Sequence, residues 1–374
     1  MDERVSEIQK LLRLAANEFS PERVLDLLSK SIHLADLEKN IGLQFETRAQ
    51  YLLSSFRFGF HDSSLSTFPW LVEQAKKHPE IINQPAMLIL YMAVINGITE
   101  FPNISLTQVR QVLAEMEEWY LNTGYSLKEA YRLGRHTMLE MGREKEAEEY
   151  LSKAKTAAPG PAINEAKALD AYAEITYADH LGDHDRAIEL AQPMLTGFPH
   201  QQEEHAPFAA ISTSFLAKNN IDYCAYCFTH AQRLKGSLEY NHLWSGYKFL
   251  FILVATLNLE DALNNFRQFF KRATMGHAKG LSFLYYLSAT FFLRTYSREN
   301  DKITALHLPN KLPIYKKEGE YTCSELLNWI EKELDFLAKA FDARNGNNFF
   351  TELIYRHKAL EKFQADTKVD LSKY

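Results

Sequence analysis

Cysteine, glycine and proline are all scarce in this chain. Three cysteines in 374 residues cannot build a disulfide framework, which excludes the small stapled folds and points to a reducing compartment. Fifteen glycines and twelve prolines amount to about 7% of the chain against about 12% on average, and that deficit disfavours loop-rich β architectures. No apolar run spans a bilayer: the longest, Met87 to Ile98 and Phe249 to Leu257, fall short of the roughly 20 residues required. The opening Met1-Asp2-Glu3-Arg4 lacks the apolar core of a signal peptide. Positive charge is not in excess either. A formal net charge of −6 and a pI near 6.1 argue against a nucleic-acid or anionic-membrane binder. No glycine-rich phosphate loop is present, since Gly276 and Gly280 lack the following Lys-Ser/Thr that a nucleotide needs, and no Gly-x-Ser-x-Gly elbow occurs. What is left is a helical, cytoplasmic protein, 46% hydrophobic and able to bury a large core.

What the chain does have is a stretch, Ser126 to Pro199, that says nearly the same thing twice. Gly142-Arg143-Glu144-Lys145-Glu146-Ala147 leads to Pro159, and Gly182-Asp183-His184-Asp185-Arg186-Ala187 leads by the same count to Pro199, an offset of 40 residues. Ser126 with Glu129 predicts a capping box opening a first helix, whose Tyr131, Gly134, Met138 and Met141 make one packing stripe. Gly142 then permits a left-handed turn into a second helix bearing Ala147, Leu151 and Ala154. Small residues at the contact allow two antiparallel helices to approach closely. Beyond Pro199 the rhythm continues with Asn219-Asn220 where glycine stood, and the small helix-opening position falls at 147, 187, 224 and 262. Periods of this length belong to helical solenoids.

These glycine, alanine and proline positions resemble the signature of tetratricopeptide (TPR) repeats, and Leu181 to Leu190 is similar to that consensus. The 40-residue spacing, longer than the usual repeat of about 34, resembles the units of bacterial signal-transducing and peptide-pheromone receptors. Only part of the usual helix A stripe is kept, with Tyr131 and Ala171 at its start. The resemblance implies an all-α, right-handed α–α superhelix of antiparallel helix pairs, with the first helix of each pair lining a concave, peptide-holding face.

The chain parses as one continuous array: degenerate helical pairs over 1–125, TPR-like repeats over 126–296, a long irregular loop over 297–321, and capping helices over 322–374. His61-Asp62-Ser63-Ser64 marks a break between early helices. The loop, with Pro309 and Pro313, is expected to contain a short hairpin around Glu318-Gly319, and Thr322 with Glu325 restarts helix.

The candidate binding surface is the face one residue beyond the core stripe. Arg132, His136 and Glu140 recur at i, i+4 and i+8, and Tyr172, Thr176 and Asp179 take the equivalent places beside His180. Trp244 and Tyr247 continue the ribbon into a segment where 13 of 53 residues, Trp244 to Tyr296, are aromatic. Resemblance to TPR proteins implies that these positions contact a peptide or a segment of another protein; the bland alternatives are a solvated face for the polar set and core for the aromatics. Cys224-Ala225-Tyr226-Cys227 sits near a helix start, with Asp222 as N-cap, yet Cys224 occupies the small buried position of its unit, which favours packing over redox chemistry. His230 adds a third donor without a fourth. His200-Gln201-Gln202-Glu203-Glu204-His205 has its second histidine one residue late for a zinc motif. The expected function is a non-catalytic protein- or peptide-binding scaffold without cofactor or metal. The alternative is a peptide-gated bacterial regulatory sensor, although residues 1–60 show no basic recognition helix; an enzyme using Cys224 or a metal comes third.

Overall fold

The computed structural model describes residues 3–59, 65–161, 163, 167–195, 205–235, 243–275 and 278–374. These form an all-α protein of seventeen α-helices, with a single antiparallel pair of two-residue strands. The chain divides into two compact units. One comprises Met1–Thr99, Thr107–Gly134 and Tyr150–Asn164, and the other Glu100–Leu106, Arg135–Glu149 and Glu165–Tyr374.

In the first unit α1 (Glu3–Asn17), α2 (Pro21–Glu38) and α3 (Ile41–Arg57) follow one another and pack through Ala15, Val24 and Leu28. Ser20 has the extended backbone of an N-cap before Pro21, but its hydroxyl lies 3.3 Å from Glu22 rather than capping the helix. The predicted His61-Asp62-Ser63-Ser64 break lies outside the described residues. Next come α4 (Phe68–Lys77), α5 (Gln84–Ile98) and α6 (Leu106–Thr123). Tyr91 of α5 is fully buried, edge-on to Phe68 at 4.9 Å and 6.3 Å from Trp119.

The helices α7 (Leu127–Glu140) and α8 (Glu144–Thr156) are the pair in which the repeat was first read. Gly134 is glycine for a steric reason: a Cβ there would come within 2.6 Å of the Tyr150 ring. The cap expected at Ser126 is present in part, its hydroxyl accepting from Lys128 N–H at 3.3 Å. Ser126 N–H donates to the Pro161 carbonyl at 2.8 Å, and the Glu129 carboxylate accepts from Ile163 N–H at 3.0 Å. The segment after α8 folds back and supplies both of these backbone partners.

The second unit contains α9 (Lys167–Leu181), α10 (His184–Leu195), α11 (His205–Ala217), α12 (Ile221–Lys235), α13 (Leu243–Ala255), α14 (Leu259–Met275), α15 (Lys279–Tyr296), α16 (Cys323–Asn345) and α17 (Phe349–Leu360). Four of its turns share one hydrogen-bond pattern. Gly142, Gly182, Asn219 and Leu257 all have φ between 55° and 78°. In each, that residue's N–H reaches a carbonyl three back, and the next N–H reaches one five back, as in Arg143 to Met138 and Asn258 to Leu253. This is the helix-ending motif with a left-handed residue just past the end. Five positions after each turn residue stands a fully buried Ala147, Ala187, Cys224 or Ala262. The register read from the sequence is therefore present at the backbone. Glycine is not needed to hold it, since Asn219 and Leu257 adopt the same conformation. Pro199, which closed the second sequence unit, lies outside the described residues.

The irregular segment does turn tightly at Gly319, φ 67°, but its ladder is elsewhere than expected. Lys302–Ile303 (β1) pairs with Tyr321–Thr322 (β2) at the base of the excursion. Thr322 and Glu325 form the predicted capping box for α16.

Candidate functional site

The last α-helix is anchored firmly at its start. Asp342, buried on α16, accepts from Phe350 N–H at 2.8 Å and Thr351 N–H at 3.0 Å, and so neutralises the start of α17. Arg143 donates to the Asn345 carbonyl, and Asn347 donates to the carbonyls of Met141 and Gly142 at 2.9 and 3.1 Å. Anchored in this way, α17 lies along the first helices of the pairs. Phe349 occupies the space a Cβ at Gly142 would need and stacks on Tyr177 with centroids 6.2 Å apart. Phe350 meets Phe283 at 5.1 Å and Phe341 at 4.4 Å, His357 meets Phe251 at 4.5 Å, and Arg356 donates to the His180 carbonyl at 3.2 Å. Only Phe349, Phe350 and Leu353 of α17 are buried, each contributing about 1.5–3 kcal/mol of apolar burial.

Beneath the second half of α17 is a cleft of about 250 Å³. Its floor is an ion pair: Lys248 Nζ of α13 lies 2.5 Å from Asp179 Oδ2 of α9, with the side chains 7% and 3% exposed. Lys248 also donates to Thr213 Oγ1 at 3.0 Å, and that oxygen lies 2.8 Å from each Asp179 oxygen. Ser214 donates to Asp179 Oδ1 at 2.7 Å, and His184 Nδ1 stands 3.3 Å from the Ser214 hydroxyl and 3.5 Å from the carboxylate. Tyr247 OH and His180 Nε2 are 3.5 Å apart. Leu284, Leu287, Leu353, Leu360 and Phe363 form the apolar wall.

Burial alone would raise the Asp179 carboxyl, but the Lys248 charge and the His184 hydrogen bond hold it far below the usual carboxylate range. The same surroundings act oppositely on the imidazoles. Burial, then the Lys248 charge, lowers His180 to about 4 and His357 to about 3, so both are neutral at physiological pH. Burial also pushes the Tyr247 hydroxyl well above its ordinary value.

Of the residues singled out in the sequence, Asp179, His180 and Tyr247 come together here, but they line a cleft rather than an open face. Asp179 and Tyr247 are 6% and 2% exposed, because α13 is apolar nearly all round and turns Tyr247 inward. His136 Nε2 and Glu140 Oε1 pair at 3.2 Å on α7. Arg132 is partly buried in the first unit, and Thr176 is partly buried with its hydroxyl lacking a hydrogen-bond partner among the described residues. Tyr172 and Trp244 lie on described helices, but their side chains are outside the described residues. Sequence reasoning passed over Lys248, Thr213, Ser214, His184, Arg356 and His357. One signal was available: Lys248 is the lone charge in the thirteen residues of α13, and a charge on an all-round apolar helix must be paired inside.

Cys224 and Cys227 are free and buried. The helix there is capped by Asn220, whose Oδ1 accepts from Tyr223 N–H at 3.3 Å, rather than by Asp222. Burial pushes both thiols up, Cys227 to about 12, which is opposite to what a redox dithiol needs. Titration with a thiol reagent should therefore find Cys224, Cys227 and Cys323 unreactive in the native protein and all three reactive in denaturant. Fast native modification of Cys224 would contradict its place in the core. No group of three or more His, Cys, Asp or Glu among the described residues is arranged to hold a metal ion. The His200–Glu204 part of the zinc-like sequence, and the side chain of His205, lie outside the described residues. No described helix is long and apolar enough to cross a membrane. Neither a protein-family model nor a curated protein sequence matches this chain.

Proposed function

We propose that the protein is a non-catalytic, TPR-like interaction scaffold that holds a helical segment of another protein along the first helices of its pairs. The observation that carries this reading is α17 itself. An amphipathic helix with two adjacent aromatics and a leucine, Phe349, Phe350 and Leu353, already rests against α9, α13 and α15. A surface that accepts one such helix through an aromatic pair and a few hydrogen bonds suits another of the same pattern, as helix-in-groove recognition does elsewhere. In the isolated chain α17 plays the partner, and a true partner competes with it.

A labelled peptide with the sequence of residues 349–363 tests this. It should bind a variant carrying Phe349→Ser, Phe350→Ser and Leu353→Ser at least about tenfold more tightly than the parent protein, whose own helix occupies the seat. A scrambled peptide should bind neither, and circular dichroism checks that the variant keeps its helices. Equal, negligible binding to both proteins would remove the basis for a helix-holding face.

A further inference from the structure

We infer that the cleft under α17 is a binding site for a compact amphiphilic carboxylate, a molecule with one anionic head and a short apolar body. This goes beyond the scaffold reading and does not depend on it. The argument begins with hydrogen-bond capacity on the cleft floor. Asp179 is saturated as an acceptor: Lys248, Thr213, Ser214 and His184 all converge on its two oxygens. It has nothing left for a cationic ligand. The unused capacity is on the donor side. Lys248 carries three protons; one goes to Asp179 and one to Thr213, and the third has only the Tyr247 ring, 5.3 Å from the ammonium, a weaker partner than a ligand's anionic head. The Lys248 side chain is 7% exposed, so an anion reaching its ammonium meets a charge with little competing water. Arg356 carries five donors, of which one reaches the His180 carbonyl and one Glu352. Lys362 completes the rim.

The remainder of the lining selects the body. Leu284, Leu287, Leu353, Leu360 and Phe363 face the space, and inorganic phosphate would leave that wall wet. With α17 in place, the space is a cleft of about 250 Å³, at the small end for ligand sites. That volume suits a medium-chain or aryl acid better than an extended peptide. The head would sit between Lys248 and Arg356, and the chain would lie on the leucines.

Calorimetry with octanoate on the intact protein tests the assignment, with octylammonium and inorganic phosphate as controls. Octanoate should bind with a Kd below about 1 mM, and the two controls should not bind. Arg356→Gln should weaken octanoate about tenfold, as should the neutral pair Asp179→Asn with Lys248→Met. Ala217→Phe, which fills the cleft from α11, should abolish binding while leaving the helical spectrum unchanged. Absence of octanoate binding overturns the assignment. So does octylammonium binding of equal strength, or octanoate binding that none of the three variants alters, since the acid would then be held on some other apolar surface. Because the parent protein keeps α17 seated throughout, a failure here leaves the peptide competition experiment unaffected.

Discussion

Replacing Lys248 by methionine should lower the unfolding free energy by about 3–5 kcal/mol, the cost of leaving a buried carboxylate without its counter-charge. Asp179 is 3% exposed at its side chain and Lys248 7%, so water cannot take over the lost interaction. Methionine keeps the length and the apolar stem, which limits the cavity contribution and leaves charge as the variable. The Thr213 and Ser214 hydroxyls would still face Asp179, but neutral donors do not replace a full positive charge. The second substitution carries the diagnosis. Adding Asp179→Asn should restore most of the loss, because a neutral pair of similar volume is close to indifferent to burial. Denaturant midpoints at neutral pH give both numbers. A single-variant loss under about 1 kcal/mol would mean the pair is effectively solvated, and the enclosed cleft floor would have to be abandoned.

The second large effect depends on pH, and its sign is unusual for a carboxyl. Glu100 accepts from Leu281 N–H at 2.7 Å at the start of α15. Burial raises its pKa to about 7, with the Glu140 charge adding to the rise and the Leu281 N–H and Arg344 opposing it. A raised carboxyl binds its proton more tightly in the fold than in the unfolded chain. Its contribution is therefore fully favourable below about 4.5 and is lost as pH rises to about 7. Glu100→Gln keeps the acceptor and removes the charge. That variant should exceed the parent in stability by up to about 3 kcal/mol at mildly alkaline pH, with the advantage gone in acid. His180 and His357 act oppositely. Held neutral to about 4 and about 3, they stabilise the fold fully above their ordinary 6.5 and progressively less as pH falls through that window. The parent should accordingly show a stability maximum, and Glu100→Gln should flatten only its alkaline side. A variant no more stable than the parent at alkaline pH would place the Glu100 charge in water.

The helices and the phase of their pairing were legible because both are local and periodic. Ala147, Ala187, Cys224 and Ala262 are each set by contact between neighbouring helices, so their spacing survives in the sequence even where Gly142 and Gly182 give way to Asn219 and Leu257. The polar floor was not legible, because Lys248 and Asp179 stand 69 positions apart and a helical wheel says only which side a residue is on. A wheel therefore puts Asp179 on an open, partner-facing side. The return of α17 was equally hidden. Amphipathicity shows that Phe349, Phe350 and Leu353 need cover, not that Tyr177, Phe251 and Phe283 supply it.

The closing segment also fastens onto α13. Ala365 N–H reaches the Ala255 carbonyl at 2.8 Å, Val369 N–H reaches Thr256 at 3.0 Å, and Asn258 returns a bond to the Val369 carbonyl. Such links bridge more than a hundred residues, while each helix pair closes across a handful. Loop-closure entropy orders the two kinds of event: the hairpins can zip early, and the strap across them is tied last. Until it is tied, the aromatic side of α9, α13 and α15 stands uncovered, so the knot drawn last is also the one that shelters those rings from water.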